Sequence, residues 1–206
     1  MLKLEVEQKS EKWFYERKGK ITGTMLKSIM GTPKARQEEM YEFIAERLTV
    51  GVDMDHENAM ERGNRLEPDA IAMFELEMSK KVERVGLYVK DEDSSIANSP
   101  DGNVLDTDDT ESVEAKCMGG KNHIKLWLTN AVPEEYEWQV AQYFIVNPKL
   151  QILWFVGFNP DITIHPLHII KVTRGEILEK IEKGLIGQTV FLQEAEALLS
   201  TLITLE

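Results

Sequence analysis

The stretch Ser99-Pro100-Asp101-Gly102, followed by Glu111-Ser112-Val113-Glu114-Ala115-Lys116-Cys117, decides the fold. Proline and glycine on either side of Asp101 mark a tight turn. Alternation from Glu111 to Cys117 marks a strand, with Val113, Ala115 and Cys117 on one side and Ser112, Glu114 and Lys116 on the other. Glu114 and Lys116 then share a face, with Cα atoms about 6.5–7 Å apart, so both side chains can converge on one point. A bare Glu-x-Lys on a strand is ordinarily a surface ion pair. The flanking sequence has to supply any further meaning.

Upstream, Val82 to Val89 is rich in β-branched residues and broken by Gly86. Ile96-Ala97 reads as a short strand, and Asp106 to Asp109 as a solvated hairpin loop. Before these, Glu57 to Ser79 carries a helical stripe of Ala70, Ile71, Phe74 and Met78, with Glu67 in its middle. A carboxylate there costs several kcal/mol of desolvation unless a cation or hydrogen bonds meet it. Either a salt bridge to Arg62 or Arg65, or a metal ion, would serve. Gln37 to Leu48 is a further helix, and Gly51 to His56 a loop. Nearer the start, an amphipathic stretch from Trp13 to Lys18 ends at Gly19. Thr22 or Thr24 caps a short helix through Met30 that Gly31 and Pro33 end. Its first N–H groups suit a phosphate, with Arg17 as partner, or they are simply capped.

Downstream, Met118 to Lys121 is a glycine loop and Lys125 to Leu128 a turn or helix. Glu134 to Val146 is a helix with Gln139, Gln142, Tyr143 and Val146 on one face. Gln151 to Phe158 is an apolar central strand and Ile162 to Val172 another. Arg174 to Leu205 is mostly helical, divided by Gly184 and Gly187, and its last part is apolar on more than one side. Such a helix packs on its own core or on another subunit. No internal repeat or linker interrupts the chain. The expectation is a single α/β domain over 1–206, a mixed sheet flanked by helices, with the segment 174–206 at a subunit interface.

The 206 residues can bury a sizeable core. One cysteine, Cys117, excludes an internal disulfide and a four-cysteine cluster, and no apolar run reaches the ~20 residues of a membrane span. A cytoplasmic setting with no membrane partner follows as the expectation. The net charge of −12 argues against a protein that coats nucleic acid. The lysines and arginines cluster, however, between Lys9 and Arg36, and again at Lys116, Lys121 and Lys125.

Oxygen ligands from Glu67, Asp101 and Glu114, with the carbonyl of Ala115, suit Mg²⁺ or Mn²⁺. Two such ions about 3.5–4 Å apart would stabilise the attacking and leaving oxygens of an in-line displacement at phosphorus. Lys116 would orient or deprotonate the attacking water, or offset developing charge.

From Trp13 to about Phe158 the chain resembles the lambda exonuclease (YqaJ-type viral recombinase) branch of the PD-(D/E)XK nuclease superfamily. The resemblance rests on Trp13-x-x-x-Arg17-x-Gly19-x-Ile21-Thr22, Gly63-x-x-x-Glu67, Ser99-Pro100-Asp101-Gly102, Glu114-Ala115-Lys116 and Gln139-Val140-x-x-Tyr143, in that order. It implies a restriction-endonuclease-like core and Mg²⁺-dependent 5′-to-3′ digestion of double-stranded DNA to mononucleotides, leaving a 3′ single-stranded tail. It also implies a homotrimer and a single-strand annealing protein as partner. The family's ligands fall on Asp101, Glu114 and Glu67, and its lysine on Lys116. Gln139 steadies the site, although Ala141 stands where a second family glutamine is common. Arg17 and Thr24 fall at the 5′-phosphate position, Lys34 near another phosphate contact, and Met60 near an apolar wedge. Tyr143 completes the expected DNA-contacting set. The competing expectations are an endonuclease of the same superfamily, restriction-like or junction-cleaving, and a noncatalytic DNA-binding module.

Overall fold

The computed structural model describes residues 1–48, 61–91 and 93–203. In chain order its elements are β1 (Leu2–Leu4), α1 (Glu11–Arg17), α2 (Gly23–Ile29), α3 (Pro33–Leu48), α4 (Glu61–Met78), β2 (Val82–Glu83), β3 (Leu87–Val89), β4 (Ala97–Asn98), β5 (Gly102–Val104) and β6 (Glu111–Cys117). There follow α5 (Gly120–Thr129), α6 (Glu137–Val146), β7 (Ile152–Phe158), β8 (Leu167–Thr173) and α7 (Leu178–Ile203). The expected loop 51–56 and the residues 57–60 expected to begin the fourth helix lie outside the described residues.

The strands form two sheets, β1-β3-β4 and β2-β5-β6-β7-β8. In the larger sheet β6 and β7 run parallel, pairing Glu114 with Phe155 and Lys116 with Gly157, while the other pairings are antiparallel. The β6 alternation divides two cores. Val113 and Ala115 pack beneath Ala70 and Phe74 of α4, together with Trp154, Val156 and Phe158. On the opposite side, Leu153 and Phe155 join the larger core built from α2, α3, α6 and α7. Glu114 and Lys116 point towards this second side, which brings them beneath α6.

The chain leaves the larger sheet after β2 and enters the smaller one at β3, with Gly86 in between. A Cβ on Gly86 would lie 2.3 Å from the Val6 carbonyl oxygen and 2.7 Å from that of Leu4, both backbone atoms that cannot swing aside. Gly86→Ala is therefore expected to cost about 1–3 kcal/mol through overpacking, read as a lower urea midpoint with an unchanged slope.

Several expected boundaries move, with α3 beginning at Pro33 rather than Gln37 and α5 at Gly120 inside the expected glycine loop. Gly184 and Gly187 do not divide α7. They let it approach Ile145 and Met30, whose side chains lie 2.9 and 2.2 Å from where Cβ atoms would stand. Close packing here outweighs the low helix propensity of glycine. The last strand begins at Leu167, because two tight turns (Ile162 N–H to Asn159, His165 N–H to Ile162) occupy the residues before it. The helix expected from Glu134 opens with a single 3₁₀ turn, Glu134–Tyr136, before α6.

Candidate active site

The turn between β4 and β5 delivers Asp101 to the side of β6, where its Oδ2 accepts the Ala115 N–H at 2.8 Å. Glu114 is buried, 1% exposed, and held from several directions. Gln139 Nε2 donates to its Oε1 at 2.7 Å, Lys116 Nζ forms an ion pair with the same oxygen, and the Tyr143 hydroxyl donates to Oε2. The Lys116 ammonium also lies 5.2 Å from the centre of the Tyr136 ring. Two residues of α6 and one of β6 itself thus fix one carboxylate, and of these pairs only Glu114 with Lys116 is close in sequence.

The electrostatics follow from burial. Desolvation, and then the neighbouring Glu114 charge, push Asp101 well above the usual carboxylate range, with Lys116 pulling the other way. Burial disfavours the Lys116 ammonium, but the charges of Glu114 and Asp101 prevail and hold its proton more tightly than usual. Tyr143 is pushed up by burial and by Glu114, so it stays neutral and donates. Two carboxylates confront one lysine.

This excess negative charge, made of hard oxygen donors, fits a divalent cation. Among the described residues no three His, Cys, Asp or Glu side chains form a cage of their own. Mg²⁺ tolerates that, because it keeps several waters and takes substrate phosphate oxygens as ligands.

A stability test follows. A carboxyl whose pKa is raised by folding contributes stability at low pH, and that contribution is lost as pH rises through the raised value. As pH rises through that raised value, the metal-free protein comes to carry an ionised Asp101 that burial disfavours. Asp101→Asn, which keeps an acceptor for the Ala115 N–H, is expected to gain on the wild type in metal-free melts as pH rises, with the gap closing as pH falls. Added Mg²⁺ should raise the wild-type melting temperature and leave Asp101→Asn unmoved. Equal shifts in both proteins would place the cation elsewhere.

Glu67 comes near enough for its charge to raise Asp101. Its own carboxylate pairs with Lys9 Nζ at 3.1 Å, so the cation meeting it comes from the N-terminal segment, which helix periodicity had no means of showing. Arg17 lies over the Trp13 ring at 4.1 Å and donates from Nη1 to Ser99 Oγ at 2.7 Å, two residues before Asp101. Burial lowers its pKa to about 10, with Glu46 opposing, so it remains a cation at neutral pH. Ser99 is the polar partner that sequence reasoning missed, although it stands in the motif itself.

Thr22 takes the position before α2 without capping it. Its hydroxyl is 3.2 Å from that of the exposed Thr24. Lys34 is exposed in the first turn of α3. Tyr143, expected to contact DNA, is 1% exposed and braces Glu114 from below, so that expectation is corrected: helical spacing gives the face but not the depth. Gln142, its neighbour on that face, is fully buried and bonds the Ile21 and Ala97 carbonyls and Gln188, whereas Gln139 is hydrogen-bonded to Glu114. Met60 lies outside the described residues.

An aspartate from a strand-entry turn, with Glu-x-Lys on the adjacent strand and helices on both faces of a mixed sheet, defines the PD-(D/E)XK-like fold of a DNA nuclease. The chain belongs to the YqaJ-like viral recombinase domain family, whose model matches residues 12–149. Among solved structures it is similar to an alkaline exonuclease (LHK-Exo) from Laribacter hongkongensis, with 30% identity, a TM-score of 0.82 and coverage of 94% of this chain and 96% of that one. The structure of LHK-Exo in complex with dAMP matches with the same values. A phage-related exonuclease from Haemophilus somnus 129PT shares the fold, with a TM-score of 0.62 at 14% identity over 89% of this chain and 96% of that one. No significant match was found among curated protein sequences. Among the described residues no helix is long and apolar enough to cross a membrane.

Proposed function

We propose that this nuclease is a Mg²⁺-dependent 5′-to-3′ exonuclease on double-stranded DNA, releasing 5′-mononucleotides and leaving a 3′ single-stranded tail for recombination by strand annealing. The observation that carries this reading is the convergence of Asp101, Glu114, Lys116 and Gln139, with Arg17 tied to Ser99 beside them. Divalent-metal dependence is general among nucleases of this family. The relative LHK-Exo has been crystallised with dAMP, a mononucleotide of the kind such a reaction releases.

Asp101, Glu114 and the Ala115 carbonyl would hold the cation, with Glu67 behind them. When bound, it supplies Lewis-acid polarisation of the scissile phosphate and a water of lowered pKa. The chain's own groups do the rest. Gln139 and Tyr143 keep the Glu114 carboxylate in one orientation. Lys116, charged in the absence of metal, sits where negative charge develops on the phosphate oxygens. Arg17 and Ser99, with Thr24 nearby, receive the terminal 5′-phosphate, and Lys34 contacts the strand further out.

The exposed apolar residues of α7, among them Ile186, Val190, Leu202 and Ile203, support a homotrimer that buries part of this helix, and a single-strand annealing protein is the partner such a product requires. Sedimentation of the pure protein as a trimer is the expected outcome, and a monomer at micromolar concentration would remove the ring. Closed circular DNA separates this reading from its competitors. It should persist while linear duplex disappears, nicking of circles would favour the endonuclease, and no Mg²⁺-dependent hydrolysis of either would favour the noncatalytic module.

A further inference from the structure

The parallel pairing of Ile21 with Ile96 stops one bond short of where its pattern leads. The Ile21 N–H donates to the Ser95 carbonyl at 2.6 Å, and the Ala97 N–H donates to the Ile21 carbonyl at 2.9 Å. The next bond of a parallel ladder would run from the N–H of residue 23 to the Ala97 carbonyl. Gly23 opens α2 instead, so the ladder ends and that buried carbonyl needs another donor. Gln142 of α6 supplies it. Its Nε2 lies 3.1 Å from the Ala97 carbonyl oxygen, 3.2 Å from that of Ile21 and 3.0 Å from Gln188 Oε1 of α7.

Both amides are held in one orientation. Gln188 Nε2 donates to the Gly184 carbonyl of its own helix at 3.3 Å, which turns its Oε1 towards Gln142. Three acceptors then face the Gln142 nitrogen, and a flipped amide would set oxygen against oxygen. Both side chains are fully buried, and Gln142 Oε1 has no hydrogen-bond partner among the described residues. An unpaired buried acceptor is unfavourable. Filling this volume would need only an apolar side chain, whereas meeting the two carbonyls needs the amide.

What the amide joins gives it a function. Ile21 lies between Arg17 and Thr24, the residues assigned to the terminal 5′-phosphate, and Ala97 stands just before Ser99, the partner of Arg17. On the same helix as Gln142, Gln139 and Tyr143 hold Glu114. From this arrangement we infer that Gln142 is a positioning residue that fixes the phosphate anchor relative to the cutting carboxylates, so that the binding energy of the terminal phosphate is spent on aligning the scissile bond. This rests on the end-dependent reading above and extends it to a side chain that touches neither DNA nor metal.

Single-turnover cleavage of 5′-phosphorylated and 5′-hydroxyl duplex by the full-length protein, with the affinity for each measured separately, tests this. Gln142→Met keeps an unbranched chain of similar volume and removes the donor. It should slow cleavage of the phosphorylated end by about tenfold to a hundredfold, the scale of a misplaced reacting group, with the affinity for that end unchanged. Cleavage of the hydroxyl end should fall by much less, because that end leaves the anchor empty and Asp101 keeps its own bond to Ala115. Hydrogen exchange at the Ala97 amide should quicken while the amides of β6 and β7 keep their protection. Gln188→Met, which leaves both carbonyls with their donor, should show the same selective loss to a smaller extent, and it decides the matter if Gln142→Met does not fold. Phe191→Leu, in the same core and packed on Phe43, measures what lost stability alone does and should slow both ends equally. Equal losses at the two ends in Gln142→Met, a weakened affinity that accounts for the loss, unchanged exchange at Ala97, or the same selective loss in Phe191→Leu would each overturn the inference. A wild type that cuts both ends equally fast would overturn the phosphate-anchor reading itself, and with it the role given to Gln142.

Discussion

Lys116→Ala should lower the rate of duplex cleavage by about 10²–10³-fold, the range for removing one preorganised charge from a phosphoryl or acyl transition state. Binding of duplex DNA should change little, because Lys116 spends its charge on Glu114 and on the reacting phosphate rather than on the exposed strand path. The same substitution removes the cation that pairs with Glu114 among the described residues, so two adjacent buried carboxylates would lose that counter-charge. The variant should consequently need more Mg²⁺ for its melting temperature to match that of the wild type. Single-turnover kinetics with gel-resolved products measure the loss, and turnover within threefold of wild type would remove Lys116 from the chemistry.

The second large effect concerns the end. Arg17 is positioned by stacking on Trp13 and by its bond to Ser99, so its fork is fixed before any DNA arrives. Arg17→Ala should abolish the preference for 5′-phosphorylated over 5′-hydroxyl duplex ends, a loss of about tenfold to a hundredfold on the phosphorylated substrate alone. Arg17→Lys should recover only part of it, because an ammonium cannot reproduce a planar, stacked fork. Discrimination between the two ends that survives Arg17→Ala would remove the phosphate anchor. Ser99→Ala offers a milder version of the same test, since it frees the guanidinium without removing its charge.

What the sequence made legible was short-range. The alternation of Glu111 to Cys117 matches β6 residue for residue and put Glu114 and Lys116 on one face. The surface ion pair that such spacing ordinarily means is present too, but its carboxylate is buried, and that depth is what changes its chemistry. The less legible features depend on contacts distant in sequence. Lys9 reaches Glu67 across 58 residues and Arg17 reaches Ser99 across 82, and no periodicity encodes either meeting. Gln139 and Gln142 occupy the same helical face, yet one braces Glu114 while the other closes backbone groups in the core. Tyr143 follows the same logic: an aromatic beside a nuclease motif suggests a DNA contact, and here the core closes over it. Gly184 and Gly187 look like breaks only until Ile145 and Met30 are known to occupy the space a side chain would need.

Digestion of linear duplex DNA labelled at either the 5′ or the 3′ terminus, with and without Mg²⁺, distinguishes Mg²⁺-dependent 5′-to-3′ exonuclease action from every competing activity. With Mg²⁺ present, label at the 5′ end should appear at once as mononucleotide, while label at the 3′ end stays on a long single strand; without the metal, neither should be released. Early release of the 3′ label, internal fragments from either substrate, or equal rates with and without Mg²⁺ would contradict it.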